Sequence, residues 1–358
     1  MGTRADLPPF PDGWYIFGVV DELRRGRLLA RRFLGQDVVV FRTVAGAVCA
    51  ADAYCPHLGA HFGYGGRVEG EVLRCPFHGF CFDTSGACVR TGYGTPPPPT
   101  AHLRLWPLRE VNGLLLVYYS SVGAAPAWEV PALDTTGWTP LRSYAFTLHD
   151  HPQETTENSV DVGHFAFIHR YRDVRSLHEL VIDGPYLSTA YAVKRALPML
   201  GWMSPRLAME VHFETHIHGL GYSLVQVTLP QLGAQARLWV APTPTDAGLL
   251  TLRLALSMRR LERAALPRWL RWAPVALLTP LLARFILAGF AHDTRQDFPI
   301  WQHKAYLQPP ALARGDGPIG KYRRWARQFY PATSAVSDTR DELPAERQEA
   351  LPIGVNAG

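Results

Sequence analysis

Cysteine is scarce in this sequence, with five among 358 residues. That count is too low for a disulfide-held scaffold, so we expect a chain that folds around its own apolar core in a reducing compartment. The N-terminus also lacks the apolar stretch of a secretory signal peptide, which favours a cytoplasmic location. Charged residues make up only 19% and hydrophobic residues 47%, which argues against long disordered regions and predicts a sizeable core.

A dense run of lysine or arginine is likewise missing, although the net charge is +5. Nucleic-acid-binding proteins typically cluster their positive charge, so we expect no nucleic-acid partner. The mildly basic balance instead fits an acidic protein partner. The glycine-rich loop of a dinucleotide-binding reductase is also absent, so any oxidation of NAD(P)H requires a separate protein.

Only one long apolar stretch occurs, at 273–291, and Pro274, Pro280 and Arg284 interrupt it. An arginine in the middle of a membrane span costs about 2.5–3.5 kcal/mol. We therefore expect a helix that is buried or lines a pocket. The alternative is shallow peripheral contact with a membrane surface, because arginines and tryptophans precede this stretch between 259 and 272.

The chain divides into two parts of different character. Short β segments and turns predict an all-β N-terminal domain. The second part combines a helical patch at about 154–170, strand-like segments between 222 and 256, and helices over roughly 260–330. This predicts an α+β fold class in which helices pack against an antiparallel sheet, as in a helix-grip fold. The expected bounds are 12–119 for the all-β domain, 120–140 for a linker, 141–331 for the α+β domain and 332–358 for a polar tail.

Two cysteines and two histidines occur in two short pairs, C-x-H and C-x-x-H. They are Cys55, His57, Cys75 and His78. Such spacings let both side chains of one loop reach one metal centre. Two cysteines on one iron and two histidines on the other form the ligand set of a Rieske [2Fe–2S] cluster. A Cys₂His₂ zinc site is the alternative, but zinc sites more often use C-x₂₋₄-C and H-x₃₋₅-H pairs.

These loops resemble the Rieske family over about 12–119. Rieske proteins of respiratory complexes carry an extra cysteine in each loop, and those positions hold Ala60 and Phe77 here. The resemblance therefore implies the oxygenase or ferredoxin type. The cysteines outside the motif are expected to be small buried apolar side chains: Cys49, Cys81 and Cys88.

A second motif places carboxylates and imidazoles between residues 157 and 169. On a helix, Glu157, Asp161 and His164 share one face. His169 lies about 140° further round, so both histidines reach one metal only if the helix ends or distorts between them. Alone, this pair of histidines is a weak signal that unrelated polar or core histidines explain equally well. Together with the upstream loops, it resembles the Rieske oxygenase motif E-x₃-D-x₂-H-x₄-H at every fixed position.

That resemblance implies that His164 and His169 bind a mononuclear Fe(II). A distant carboxylate would complete a 2-His-1-carboxylate set that leaves other positions open for O₂. Asp293 and Asp297 are the downstream candidates. The family pattern of Q-D before an apolar stretch ending in I-W favours Asp297, and Asp293 is then expected to be a helix-surface carboxylate.

The resemblance also gives roles to the acidic residues of the motif. Asp161 is expected to link the two centres through hydrogen bonds between His164 and a cluster histidine, and to pass electrons across a subunit boundary. This implies a homotrimer or a trimer-based assembly. Glu157 either supports the same link or is a plain surface carboxylate.

Segments away from the metal ligands resemble a sterol and steroid branch. Residues 52–60 look like the cholesterol 7-desaturase group, whereas 296–304, 316–319 and 323–330 look like both that group and the 3-ketosteroid 9α-hydroxylases. The expectation is an O₂-dependent enzyme resembling cholesterol 7-desaturase. A steroid 9α-hydroxylase, an oxidative sterol demethylase and an aromatic-ring dioxygenase stay open as alternatives, and a pure electron carrier would not need the second motif. Electrons would come from NAD(P)H through a separate reductase, with or without a ferredoxin.

Overall fold

The structure of the chain is a computed structural model with two antiparallel β regions and four helices among the residues it describes. The predicted polar tail at 332–358 lies outside them. The described residues are 3–4, 6–196, 208–263, 272 and 274–330.

The N-terminal part is made of short antiparallel strands, with a 3₁₀ turn at Val20–Glu22 after the second strand. The strands are β1 (Thr3–Arg4), β2 (Gly13–Val19), β3 (Arg27–Phe33), β4 (Gln36–Arg42), β5 (Val48–Asp52), β6 (Arg67–Glu69), β7 (Val72–Arg74), β8 (Cys81–Phe82), β9 (Cys88–Arg90), β10 (Leu105–Trp106), β11 (Leu108–Val111) and β12 (Leu114–Tyr119). They pair in the orders β10-β5-β4-β3, β11-β12-β2 and β6-β7-β8-β9.

Strands β4 and β12 are continuous apolar runs because both of their faces are covered. Val39, Val40 and Phe41 are fully buried in β4, and Leu115 and Leu116 are fully buried in β12. Such runs are typical of strands in the centre of a two-layer core. They form the rigid base from which the loops after β5 and β7, carrying the first motif, extend.

The C-terminal part is an antiparallel seven-stranded sheet. Its strands are β13 (Arg142–Leu148), β14 (Arg172–Asp183), β15 (Tyr186–Ala196), β16 (Ala208–His218), β17 (Ser223–Leu229), β18 (Ala234–Asp246) and β19 (Leu249–Met258). They pair in the order β13-β19-β18-β17-β16-β15-β14, and a further short strand, β20 (Leu307–Gln308), pairs with β1. The helices are α1 (Pro152–Glu157), α2 (Gly163–Phe167), α3 (Val275–Trp301) and α4 (Ile319–Ala326), with 3₁₀ turns at Pro230–Leu232 and Arg327–Phe329.

Helix α3 packs along one face of this sheet. Ala283, Leu287 and Ala291 are buried at helical spacing and belong to one core cluster with Leu252 and Leu254 of β19. Truncating a buried leucine to alanine typically costs 2–5 kcal/mol, so about that loss is expected for Leu287. This packing holds the C-terminal half of α3, where the predicted carboxylate ligand lies.

The two parts share a core. Trp14 and Ile16 of β2 pack in one cluster with Tyr222 and with Trp239 of β18. The Trp14 indole donates to the Trp128 carbonyl at 2.9 Å, and the Trp239 indole donates to the Tyr222 hydroxyl at 2.9 Å. Within the segment predicted as a linker, 120–140, Val130 is buried in this cluster and Trp128 packs against it, whereas most of the other residues are exposed. Its bounds as a domain boundary stay a prediction.

The predicted α+β class is confirmed, and two local predictions need correction. The helical patch at 154–170 is two short helices, α1 and α2, separated by non-helical residues, so Glu157 and His164 do not share one helix face. The region 260–330 is not helical throughout, because β20 and a loop separate α3 from α4; the predictions for 264–271 and 273 lie outside the described residues.

Candidate metal centres

The four side chains of the first motif come together in two adjacent loops. Cys55 and Cys75 are buried, and the rings of His57 and His78 lie 4.9 Å apart between centroids. In the described part of the chain, the Nδ1 atoms of both histidines are buried without a hydrogen-bond partner. Buried polar atoms rarely lack a partner, so two such atoms side by side indicate that both face a bound group.

The buried thiols of Cys55 and Cys75 also indicate a bound group. Burial, with the nearby Cys75, raises the pKa of Cys55 to about 12. A metal binds the thiolate, which is stable in such a place only when a cation compensates its charge. Two thiolates and two imidazoles with free Nδ1 atoms are the donor set of a Rieske cluster, so the residues fit the group that the sequence predicts.

Backbone contacts fix the shape of both loops. The Cys55 N–H donates to the Ala60 carbonyl at 2.9 Å, and the Cys75 N–H donates to the Phe80 carbonyl at 2.8 Å. The Gly92 N–H donates to the His78 carbonyl at 3.1 Å, and a Cβ on Gly92 would lie only 2.1 Å from that oxygen. This close approach requires glycine at position 92.

The second motif brings three donor groups to one point. His164 lies in α2, His169 follows the end of that helix and Asp297 lies in α3, and their ligand atoms are all within 4.8 Å of one another. The His169 Nε2 is 3.5 Å from the Asp297 Oδ2. Helix α2 ends at Phe167, which provides the break that the spacing of the two histidines requires.

Hydrogen bonds orient both imidazoles. The His164 Nδ1 donates to the Asp161 carbonyl at 2.5 Å, and the His169 Nδ1 is 3.4 Å from the amide oxygen of Gln296. Engagement of Nδ1 leaves Nε2 as the metal-binding atom, the usual arrangement of histidine ligands. Gln296 precedes Asp297 directly, so one turn of α3 supplies both a ligand and the group that orients another.

The pKa values of these three groups also suit a metal. Burial lowers the pKa of His164 to about 4 and lowers the pKa of His169, so both rings are neutral as ligands must be. Burial, together with the charge of Asp293, raises the pKa of Asp297 to about 7. A bound cation would favour the ionised form of this buried carboxylate, and two imidazoles with one carboxylate suit Fe(II).

Asp161 contacts the His164 imidazole through its backbone carbonyl, and its carboxylate contacts the His164 backbone instead. The carboxylate Oδ1 accepts the His164 backbone N–H at 3.1 Å and is 3.9 Å from the His164 Nδ1. Burial raises the pKa of Asp161. The predicted bridge to a cluster histidine stays a prediction, and in this geometry the carbonyl holds the imidazole while the carboxylate caps the start of α2.

Glu157 is not a surface carboxylate, which corrects one of the two predictions for it. It is buried in α1, and Arg323 of α4 contacts both of its oxygens at 2.6 and 2.8 Å. One turn earlier, Glu154 pairs with Lys304 at 2.8 Å. Lys304 and Arg323 lie in the C-terminal segments that resemble the sterol branch, so those segments neutralise the buried acids next to the iron motif.

Asp293 is also buried, so its predicted place on the helix surface is wrong. Its Oδ2 accepts the Tyr171 hydroxyl at 2.8 Å and pairs with Arg195 at 2.6 Å. The sequence had a signal for Gln296 in the Q-D pair, but Tyr171 and Arg195 carry no motif and were missed. Of the other cysteines, Cys49 and Cys81 are buried as predicted, and Cys88 is only half-buried.

Aromatic side chains form an apolar floor beside the three donor groups. Phe165 lies against His164, with 4.3 Å between ring centroids, and is 5.4 Å from both Tyr191 and Phe213 on the sheet. Phe165 and Tyr191 are buried. The floor excludes water from this side of the site and presents carbon surface to whatever binds there.

Comparison with protein-family models gives two matches. A model described as the 3-ketosteroid 9alpha-hydroxylase C-terminal domain matches residues 117–330, and the Rieske [2Fe-2S] domain matches residues 13–104. Each match covers one of the two candidate metal centres.

Among curated proteins, a cholesterol 7-desaturase from Caenorhabditis elegans is 29% identical over 342 residues, which are 92% of this chain and 79% of that protein. A "probable 3-ketosteroid-9-alpha-monooxygenase, oxygenase component" from Rhodococcus rhodochrous is 28% identical, over 96% of this chain and 84% of that protein.

Solved structures share the fold at low identity. Dicamba monooxygenase bound to 3,6-dichlorosalicylic acid superposes with a TM-score of 0.68 at 16% identity, covering 89% of this chain and 97% of that chain. NdmA of Pseudomonas putida CBB5 with caffeine gives a TM-score of 0.65 at 19% identity, covering 88% and 89%.

Proposed function

Because the chain belongs to the Rieske oxygenases, with a C-terminal domain of the 3-ketosteroid 9α-hydroxylase family, we propose that it oxidises a sterol or steroid with O₂. The first candidate reaction is a desaturation like that of the cholesterol 7-desaturases to which the chain is similar. The observation that carries the proposal is the convergence of His164, His169 and Asp297 on one point beside an apolar aromatic floor.

The residues divide the work between two sites. Cys55, His57, Cys75 and His78 would hold the [2Fe–2S] cluster, and His164, His169 and Asp297 would hold a mononuclear Fe(II). When bound, the two centres together supply electron relay and O₂ activation. The protein's own part is to keep both imidazoles neutral and oriented through the Asp161 carbonyl and Gln296, and to exclude water with Phe165, Tyr191 and Phe213.

Electrons come from a partner, as in other oxygenase components. A reductase or ferredoxin supplies them, with NAD(P)H as the reductant. Within the assembly, we propose Asp161 as the residue at which electrons pass between the centres. Its position beside His164 and its partly exposed side chain support that role.

A homotrimer is part of the proposal. Large apolar side chains are exposed beside both centres: Leu58, Phe77 and Tyr93 are 66%, 64% and 57% exposed near the cluster loops, and Phe167 at the end of α2 is 87% exposed. Apolar side chains this exposed favour burial in an interface. A ring in which one subunit's cluster loops cover the next subunit's Phe167 would bury both sets.

We also propose that the enzyme is cytoplasmic and touches a membrane surface through α3. By length and composition alone, α3 could cross a membrane, and only 22% of its most apolar part is buried within the protein. Leu277 and Leu281 are exposed on the first turns, next to the exposed Trp272. The opposite side of these turns lines a cavity of about 640 Å³ with Leu141 and other residues. Such an apolar face with an aromatic side chain suits shallow contact with lipids that carry sterols.

Hydroxylation at a steroid ring is the second candidate reaction. The family match over residues 117–330 and the Rhodococcus rhodochrous relative favour it. The solved structures named above are so low in sequence identity to this chain that the similarity concerns the fold alone. It therefore adds little support for an oxidative demethylase or an aromatic-ring dioxygenase.

The test is mass spectrometry of a panel of sterols and steroids. The purified, iron-loaded protein is incubated in air with a surrogate ferredoxin and reductase, and His164→Ala serves as a control that keeps the cluster. Loss of two hydrogen atoms supports desaturation, and gain of an oxygen atom supports hydroxylation. An unchanged panel, with the cluster reduced and the iron site filled, contradicts a sterol or steroid substrate.

A further inference from the structure

The carboxylates of Asp293 and Asp297 lie one turn apart on the buried side of α3 and differ in their hydrogen-bond and ion-pair partners. Asp297 contacts His169 at 3.5 Å, and this is its one ion pair within the described ranges. Asp293 is already satisfied, because its Oδ2 accepts the Tyr171 hydroxyl at 2.8 Å and pairs with the Arg195 guanidinium at 2.6 Å. Both carboxylates are less than a tenth exposed.

The contacts of Asp293 join the segments that carry the metal ligands. Tyr171 is two residues beyond His169, and its ring lies 5.3 Å from the His169 ring. The Tyr171–Asp293 hydrogen bond therefore ties the chain that carries His169 directly to the helix that carries Asp297. These segments are more than a hundred residues apart in sequence, so such cross-links set the distance between the two ligands.

Arg195 fixes the same helix to the sheet. Its guanidinium donates to the Gly289 carbonyl of α3 at 3.3 Å, one turn before Asp293, and also lies 5.9 Å from the centre of the Tyr171 ring. Arg195 belongs to β15, next to the strand that starts after His169. One guanidinium thus contacts the helix backbone, the Asp293 carboxylate and the tyrosine ring together.

We propose that Tyr171, Asp293 and Arg195 are positioning residues of the mononuclear iron site. They hold His169 and Asp297 at binding distance and neutralise Asp293, so that Asp297 alone of the two acids is available to the metal. This inference rests on the proposed iron-binding role of His164, His169 and Asp297. A purely structural role would lower stability without changing the metal environment, and the two roles are separable by measurement.

The variants are chosen to leave the fold intact. Tyr171→Phe removes only the hydroxyl and keeps the ring, and Asp293→Asn keeps the shape of the side chain. Substitution of groups that support metal ligands typically weakens metal affinity by 10- to 100-fold. We expect Fe(II) affinity to fall about tenfold in Tyr171→Phe and about a hundredfold in Asp293→Asn, because the latter also leaves Arg195 without its charge partner.

The measurement is the dissociation constant of Fe(II) for the full chain, by competition with a chelator. It is combined with electron paramagnetic resonance of the Fe(II) site with nitric oxide as a probe. Absorbance of the [2Fe–2S] cluster confirms folding. Lys194→Met, which breaks the exposed Lys194–Asp173 pair at 2.6 Å on β15 and β14, is the matched control and should match wild type.

The outcomes separate the inference from the proposed function. If His164→Ala loses Fe(II) while Tyr171→Phe and Asp293→Asn bind it as wild type does, with an unchanged spectrum, the positioning role is overturned and the iron site stands. If His164→Ala binds Fe(II) as tightly as wild type, the proposed function fails first. Weaker binding with an altered spectrum in both variants, and not in Lys194→Met, supports the inference.

Discussion

Arg323 donates hydrogen bonds to both carboxylate oxygens of Glu157, with Nε 2.6 Å from Oε2 and Nη2 2.8 Å from Oε1. The two side chains are only 15% and 7% exposed. The pair joins α4, near the end of the described chain, to α1, whose last residue, Glu157, is the first residue of the iron motif. Charge-assisted bidentate pairs of this kind combine strength with a fixed geometry, so the C-terminal helix fixes where the motif begins.

Breaking this pair should destabilise the protein strongly. Arg323→Met leaves the Glu157 carboxylate buried, with Lys304 4.0 Å away to offset part of the loss. Removal of one partner of a buried pair typically costs 3–5 kcal/mol, so we expect the free energy of unfolding to fall by about 3 kcal/mol. Chemical denaturation measures it.

The matched control is Arg32→Met, which breaks the Arg32–Asp246 pair at 2.8 Å, where both side chains are nearly half exposed. Exposed pairs contribute at most about 1 kcal/mol. Equal losses in the two variants would contradict the view that Arg323 anchors the motif through a buried charge.

The cluster ligands should be separable from the other cysteines. Cys75→Ser removes one proposed thiolate ligand and is expected to abolish the visible absorbance and the electron paramagnetic resonance signal of the [2Fe–2S] cluster. Cys88→Ser, a half-buried cysteine outside the motif, should retain both signals. A cluster that survives in Cys75→Ser with the spectrum of wild type would show that the ligand set is different.

Asp161 can be tested apart from iron binding because of how it contacts His164. Asp161→Asn keeps the backbone carbonyl that accepts from the His164 Nδ1, and keeps a side-chain oxygen for the His164 N–H. We expect iron content to stay near that of wild type while turnover falls about tenfold or more. Asp183→Asn, at the exposed end of β14, is the control. Iron loss that parallels the loss of turnover would point to a ligand-holding role instead.

His151 should make the fold sensitive to acid. Its Nδ1 accepts the Gln153 N–H at 3.1 Å and caps α1, and its Nε2 lies 3.0 Å from the Pro8 carbonyl, so the neutral ring satisfies both contacts. Burial lowers the pKa of His151 from its ordinary value of 6.5 to about 4. Its stabilisation is therefore complete above pH 6.5 and is lost as the pH falls toward 4.

Asparagine can cap a helix without titrating, so His151→Asn should reduce this acid sensitivity. The free energy of unfolding, followed by denaturation over that pH range, should fall by about 1–3 kcal/mol more in wild type than in the variant. Parallel profiles for the two proteins would show that other groups cause the acid response.

The sequence predicted the fold class and the residues that converge at each centre, because short motif spacings restrict which side chains can share a metal. It did not predict the break between α1 and α2 in detail, since Glu157, Asp161 and His164 fit one helix equally well by spacing. The roles of Tyr171 and Arg195 could not be predicted from the sequence. Both contact Asp293, which lies far from them along the chain, and such contacts depend on packing. For the same reason, the sequence could not decide between a supporting role and a surface position for Glu157, because Arg323 reaches it only through the fold.

A single-turnover experiment with both centres loaded tests directly whether the two centres together oxidise a sterol. The chemically reduced protein is mixed with O₂ and a sterol, and cluster absorbance and sterol product are followed together. We expect the cluster to be oxidised in step with product formation, and His169→Ala, with the same cluster, to form no product. Oxidised cluster without any sterol or steroid product in wild type, at full iron occupancy, would contradict this expectation.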